Sequence, residues 1–169
     1  MPDLTVAFSE PNNLLGSYGP ILVMINKVTV PADLLEKSFG VADSLLKRYP
    51  DGIGYMCIMM PGTSAPDGAG RQKINSWMHA FAPRHMTLGF SLVIRADTVW
   101  GGVMRMVARA IALGNRAIYP NEIFDTTAQA SAFHASFSKG AVRAADLDAA
   151  IVRAYQTLEV GEKSARKHA

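Results

Sequence analysis

Three consecutive stretches decide the fold class: TLGFSLVIRA at residues 87–96, DTVWGGVMRMVARAIALG at 97–114 and IYPNEIF at 118–124. The first stretch is rich in β-branched and aromatic residues, as strands are. The second repeats apolar residues at helical spacing, and the third is a short β-type run broken by a proline. A strand, a helix and a strand in succession form the unit of a parallel sheet with crossover helices. The sequence therefore predicts an α/β fold.

The same patterns extend the prediction along the rest of the chain. Further strands are predicted at 4–8, 21–30 and 53–60, and further helices at 31–49, from the glycine-rich loop at 62–70 to Pro83, at 127–137 and at 141–159. Turn residues at 16–20 indicate that the first two strands form a loose hairpin. We expect a mixed, mainly parallel sheet of four to five strands with crossover helices and an extra C-terminal helix.

The length of 169 residues fits one domain with an additional terminal element. We expect an α/β domain at 1–138 and, at 139–169, a C-terminal helix with a basic tail. That helix has a single apolar stripe of Leu147, Ile151, Tyr155 and Leu158. The stripe must be buried either on its own domain or on a second copy of the chain, so a homodimer is one expectation.

Composition excludes several function classes. Net charge is only +3 and the basic residues are scattered, whereas nucleic-acid binders concentrate them on one face, so we expect no nucleic-acid partner. The apolar runs are shorter than the ~18 residues that a membrane span needs. Asp3 and Glu10 interrupt the start of the chain, which argues against a signal peptide and favours a cytoplasmic protein. We interpret the single cysteine, Cys57, as a buried thiol in a strand, and one cysteine cannot form an internal disulfide.

No catalytic, metal or cofactor motif is present. The loop at 62–70 lacks the Lys and hydroxyl pair of a P-loop, and Lys73 stands where a dinucleotide-binding motif needs its third glycine. No G-x-S-x-G elbow or H-E-x-x-H pair occurs. We expect no catalytic residue, no metal and no cofactor, and we interpret four histidines as helix-terminal or surface residues: His79, His85, His134 and His168.

The predicted helix that begins near Asp97 is the best candidate for a functional surface. Residues 98, 102, 105 and 109 share one face at helical spacing, small near the start and cationic beyond it. A glycine inside a helix costs about 1 kcal/mol, so two in succession need a reason, either tight packing or the approach of a partner. We predict a protein-binding surface formed by Thr98, Trp100, Gly101, Gly102, Arg105 and Arg109.

The order of elements, with Asp97-Thr98-Val99-Trp100-Gly101 at the start of a helix and IFDTTAQASAF at 123–133, resembles the STAS-like domains, which include bacterial anti-sigma-factor antagonists. The resemblance covers roughly residues 4–137. It implies a non-catalytic, regulatory protein-binding domain whose Ser or Thr at this helix start is phosphorylated by a partner kinase. Thr98 occupies that position here, and a phosphate would add about −1.5 to −2 charge near Arg105.

Two alternatives remain open from the sequence. Open α/β sheets bind ligands at the carboxyl ends of their strands. A small-molecule binder or enzyme would therefore use a cleft between the loops at 61–67 and 95–98, with Arg95, Asp97 and His85 as lining residues. The other alternative is a structural homo-oligomer built on the last helix.

Overall fold

The computed structural model describes residues 3–28, 30–64, 68–94, 101–102 and 119–167, with residues 32 and 159–167 described through their backbone alone. The described strands are β1 (Thr5–Glu10), β2 (Asn13–Tyr18), β3 (Ile21–Asn26), β4 (Gly54–Met59), β5 (Phe90–Ile94) and β6 (Asn121–Phe124). The helices with defined bounds are α1 (Ala32–Arg48), α2 (Gly68–His85), α3 (Thr127–Phe137) and α4 (Ala144–Lys167).

The strands form one mixed sheet with the sequential order β1-β2-β3-β4-β5-β6. The pairs β1–β2 and β2–β3 are antiparallel, and the pairs from β3 to β6 are parallel. The predicted fold class, an α/β fold with a mixed, mainly parallel sheet, is confirmed, although the sheet has six strands rather than four or five.

The additional strand is β2, which the sequence did not reveal. We expected the strands near residues 4–8 and 21–30 to pair with each other across a loose turn, and this was wrong. Instead β2 lies between them and pairs with both. Its leucines explain why: Leu14 is buried on one face of the sheet and Leu15 on the other. Burial on both faces outweighs the low strand propensity of Asn13, Gly16 and Ser17.

Helices cover the sheet on both faces, so the molecule has three layers. On β3, Ile21, Val23 and Ile25 face the layer of α3 and α4. Leu22 and Met24 face the layer of α1 and α2. Both crossovers between described parallel strands, β3–α1–β4 and β4–α2–β5, therefore run over the same face, as the uniform handedness of such units requires.

The C-terminal helix packs on its own chain. Its predicted stripe is confirmed as apolar and buried, since Leu147, Ile151 and Leu158 belong to the core that also contains β3 and β4. Tyr155 packs against the same core. An intrachain partner thus accounts for the stripe without a second copy of the chain.

The helix α2 joins α1 through an aromatic stack. The Trp77 ring lies 4.5 Å from Phe39 of α1 and 4.3 Å from Phe81 of its own helix, in both cases nearly parallel. We expected Pro83 to end α2, but the helix continues to His85. A proline in the last turn removes one backbone donor, and the turn still closes through the bond from Met86 N–H to Ala82 O at 3.0 Å.

Gly89, just before β5, allows a stringent test of the packing between α3 and the sheet. Its φ of +82° favours glycine, and an added Cβ would lie 2.7 Å from the Phe133 ring. Gly62 has a similar φ of +91°, but an added Cβ there would meet no atom within 4 Å in the part of the chain that the structure describes. We expect Gly62→Ala to lose about 1–2 kcal/mol of unfolding free energy from backbone strain alone. Gly89→Ala should lose about 1–3 kcal/mol more through overpacking, measured by urea denaturation. Equal losses in the two variants would contradict the packing described here.

Candidate functional site at the carboxyl edge of the sheet

The carboxyl ends of β3, β4 and β5 lie side by side at one edge of the sheet, which we call the carboxyl edge. Asn26, Met59 and Ile94 are in register there. Loops leave this edge toward α1 and α2, and the segment beginning at residue 95 leaves it after β5. The carboxyl edge is where parallel sheets bind ligands and partners, because loops can vary above a rigid scaffold.

The loop after β4 is fixed to the end of β3. The Asn26 carbonyl accepts two hydrogen bonds, from the Met60 N–H and from the Thr63 hydroxyl, both at 2.8 Å. Thr63 also donates its N–H to Met60 O at 3.0 Å, and its side chain is fully buried. Hydrogen bonds therefore attach the loop after β4 to the carboxyl end of β3.

Cys57 lies on β4 beside this edge and receives a hydrogen bond from Asn26 Nδ2 to Sγ at 3.7 Å. Burial raises the pKa of its thiol to about 12, and the Asn26 hydrogen bond only partly opposes that shift. A thiol with such a pKa remains protonated at neutral pH, and the thiolate is the nucleophilic form. The interpretation of Cys57 as a strand thiol thus agrees with its environment.

Most of the predicted partner surface lies outside the described residues. Thr98, Trp100, Arg105 and Arg109 belong to that part of the chain, as do Arg95 and Asp97. Two of its members are described: Gly101 and Gly102 both have helical backbone. Gly101 is buried and Gly102 is exposed, so only the second glycine offers surface to another molecule.

His85 does not belong to a cleft at the carboxyl edge, and that expectation was wrong. It ends α2, and its carbonyl accepts the N–H of Ile53, the residue just before β4, at 2.8 Å. His85 therefore lies at the opposite, amino edge of the parallel strands. Its ring packs against Phe81 at a centroid distance of 4.9 Å. The reason is topological: a crossover helix returns the chain to the edge where the next strand starts.

His134 is a buried residue and not a surface one, as we had interpreted it. It lies on α3 with no exposed surface, and its Nδ1 is 2.7 Å from the Leu88 carbonyl. A carbonyl can only accept, so Nδ1 carries the proton and Nε2 is left to accept. The Ser91 hydroxyl, equally buried on β5, donates to Nε2 at 2.8 Å.

This Ser–His pair resembles a nucleophile and its base in composition, but both side chains are fully buried. A substrate has no route to them, so the pair acts by fixing α3 on the sheet. Gly54 of β4 makes the arrangement fit, because a Cβ there would lie 2.7 Å from His134 Nδ1. The helix does not bury its phenylalanines alike, since Phe137 is 39% exposed. The helix instead turns Ala130, Ser131 and His134 inward.

His134 predicts a specific loss of stability in mild acid. Burial lowers its pKa from 6.5 to about 4, against a smaller opposing effect of the Leu88 hydrogen bond. The unfolded chain therefore takes up this proton first. The contribution of His134 is complete above pH 6.5 and is lost as the pH falls from 6.5 toward 4. Between pH 7.5 and pH 5.0 the loss amounts to about 2 kcal/mol.

The measurement is urea denaturation at the two pH values for the wild type and two variants. His134→Asn cannot titrate and keeps a nitrogen that can donate toward Leu88, so it should be less stable at pH 7.5 but lack this acid-dependent part. His79→Gln, a change at an exposed histidine of α2, should behave like the wild type. If His134→Asn lost as much stability on acidification as the wild type, another group would be responsible.

Comparison with known proteins found no significant match to any protein-family model, curated protein or solved structure. The α/β fold with its six-stranded mixed sheet is thus established by the structure alone. No helix in the described parts of the chain is both long and apolar enough to cross a membrane. Among the described residues, no group of three or more His, Cys, Asp and Glu side chains is placed to hold a metal ion.

Proposed function

We propose that the protein is a non-catalytic, regulatory protein-binding domain of STAS-like type, which takes a partner protein on the helical surface around Gly102. One observation carries this proposal. Gly102 has helical backbone and is exposed, and an added Cβ would meet no atom of the described residues within 4 Å. Packing against the described residues therefore does not require a glycine here, although a helical glycine costs about 1 kcal/mol of stability relative to alanine.

An exposed glycine on a helix lets a partner approach the backbone closely. Gly101 beside it is buried, so the helix contacts its own domain on one side at this point and exposes Gly102 on another. The position in the fold also supports the proposal, because the two glycines follow β5 from the carboxyl edge.

The remaining members of the surface are assigned from the sequence. Trp100 is the type of residue that dominates binding energy at interfaces. Arg105 and Arg109 give the surface positive charge, which selects a partner with an acidic patch. Phosphorylation of Thr98, as the STAS-like resemblance implies, would reverse part of that charge and weaken an acidic partner's binding.

The test compares two glycines in the same kind of environment. Gly40 of α1 is also helical and exposed, and an added Cβ there would likewise meet no described atom within 4 Å, but it lies on another helix. We expect wild-type protein and Gly40→Trp to capture the same protein from a lysate of the source organism after chemical cross-linking. Gly102→Trp should reduce that capture at least tenfold, because a bulky side chain blocks close approach.

Folding is checked separately by urea denaturation, in which Gly102→Ala and Gly40→Ala should each gain up to about 1 kcal/mol. Equal capture by Gly102→Trp and Gly40→Trp would show that the partner binds elsewhere. Failure of both the wild type and Gly40→Trp to capture any protein above background would argue against a protein-binding function.

A further inference from the structure

The strand β1 forms one end of the sheet and leaves its outer edge open. The sheet order begins with β1, which pairs with β2. In the part of the chain that the structure describes, no strand lies on its other side. Five of its six residues are exposed and Phe8 is half-buried, whereas the neighbouring β2 is buried almost throughout. The backbone N–H and C=O groups along this edge can therefore pair with another strand.

The two ends of the sheet differ in how they are protected against such pairing. Soluble proteins protect edge strands by making them short or by placing charged side chains or prolines on them. The strand β6, at the other end, has four residues and includes Glu122. The strand β1 is longer, contains no proline and is uncharged from Thr5 to Ser9. One protective feature is present, a β-bulge where the register with β2 shifts between Val6 and Phe8, and it shortens the segments that can pair.

The bulge also leaves an apolar side chain exposed. Val6 lies opposite Gly16 and Phe8 opposite Leu15, so Val6 and Phe8 are on different faces of the sheet. Phe8 is covered by Lys37, whose Nζ lies 3.9 Å from the ring centroid. Val6 is 52% exposed, the highest value among the large hydrophobic residues that the structure describes. A strand added at this edge would remove Val6 from water.

We propose that β1 pairs antiparallel with β1 of a second copy of the chain, which joins two six-stranded sheets across a twofold axis. An isologous contact of this kind is self-complementary, so one strand supplies both sides. No like charges meet between Thr5 and Ser9. The antiparallel direction brings Glu10 of one copy to the start of β1 in the other, where Arg153 forms an ion pair with Asp3. Because Arg153 offsets the charge of Asp3, Glu10 does not approach an unpaired carboxylate there.

The same features predict a dimer that is closed and weak. Once two β1 strands have paired, the joined sheet ends in two β6 strands, which are short and include Glu122. A contact through one short strand per copy buries less than the ~1,200 Å² below which interfaces are weak and transient. We therefore expect a dissociation constant of roughly 100 µM. The contact lies at the other end of the sheet from the surface around Gly102 and does not depend on the protein-binding function.

Sedimentation velocity of the full chain measures the association. Between about 5 and about 500 µM, the wild type should change from about one-tenth to about three-quarters of its chains in dimers. Val6→Lys places like charges on both edges that meet, so its dissociation constant should rise at least tenfold. Since Val6 is exposed, the melting temperature of this variant should stay within about 2 °C of the wild type.

Val152→Lys is the matched control, because it makes the same change at another exposed valine, 44% accessible on α4. Arg153 contacts Asp3 beside β1, whereas Asp148 accepts a hydrogen bond from Thr127 of α3. Val152 lies one turn after Asp148 and therefore on the side of α4 toward α3, away from β1. This variant should associate like the wild type.

Hydrogen exchange provides a readout on the wild type that requires no variant. At about 500 µM the amides of β1 should exchange about threefold more slowly than at about 5 µM, while those of β6 should not change. A wild type that stays monomeric over this range would overturn the proposal, as would equal association of Val6→Lys and Val152→Lys. Species larger than a dimer would also overturn it, because the contact would then not be closed.

Discussion

The complete burial of β3 on both faces is the constraint on which the rest of the structure depends. Every residue of β3 is 3% exposed or less, although the strand pairs antiparallel on one side and parallel on the other. A strand without a solvent face needs a helical layer above and another below, because each face presents apolar surface that must leave water. The α1–α2 layer follows from the two crossovers, whereas the α3–α4 layer requires the chain to cross to the opposite face after β6. The C-terminal helix therefore belongs to the core of the domain, because it helps to cover one face of β3.

Much of this arrangement could be predicted from the sequence, and the errors have a common cause. Continuous apolar runs bounded by turn residues identify β3, β4 and β5, and helical periodicity identifies α1 and α4. The segment NLLGSY at 13–18 was missed because asparagine, glycine and serine signal turns in local terms. Its strand conformation is imposed by neighbours, since β1 and β3 supply hydrogen bonds on both sides and the two leucines supply burial on both faces. A tertiary preference of this kind is invisible in a short window of sequence.

The candidate sites could be predicted only in part. The carboxyl edge could be expected from the strand–helix order alone, because parallel strands end together. The pairing of Asn13 with Asn26 could not, since it requires the strand that the sequence did not show. The prediction that His134 lies at the surface was wrong for a different reason. Phenylalanine is more hydrophobic than histidine, and α3 contains both, so hydrophobicity alone predicts that the phenylalanines are buried and the histidine is exposed. The two hydrogen bonds of His134 to Leu88 and Ser91 reverse that ranking, because a buried polar ring with both nitrogens satisfied loses little relative to water.

Buried polar atoms without a partner among the described residues lie at both edges of the parallel strands, Asn26 Oδ1 at the carboxyl edge and Asn121 Oδ1 at the amino edge. At the amino edge His134 makes two hydrogen bonds, and the Thr87 hydroxyl binds the Asp51 carbonyl at 2.8 Å. At the carboxyl edge Asn13 and Asn26 lie opposite each other on β2 and β3, and the Oδ1 atom of each has no hydrogen-bond partner among the described residues. Hydrogen bonds fix the chain at both edges, from Thr63 to Asn26 at the carboxyl edge and from Thr87 to Asp51 at the amino edge, so the sheet is a rigid scaffold from which loops can present a site.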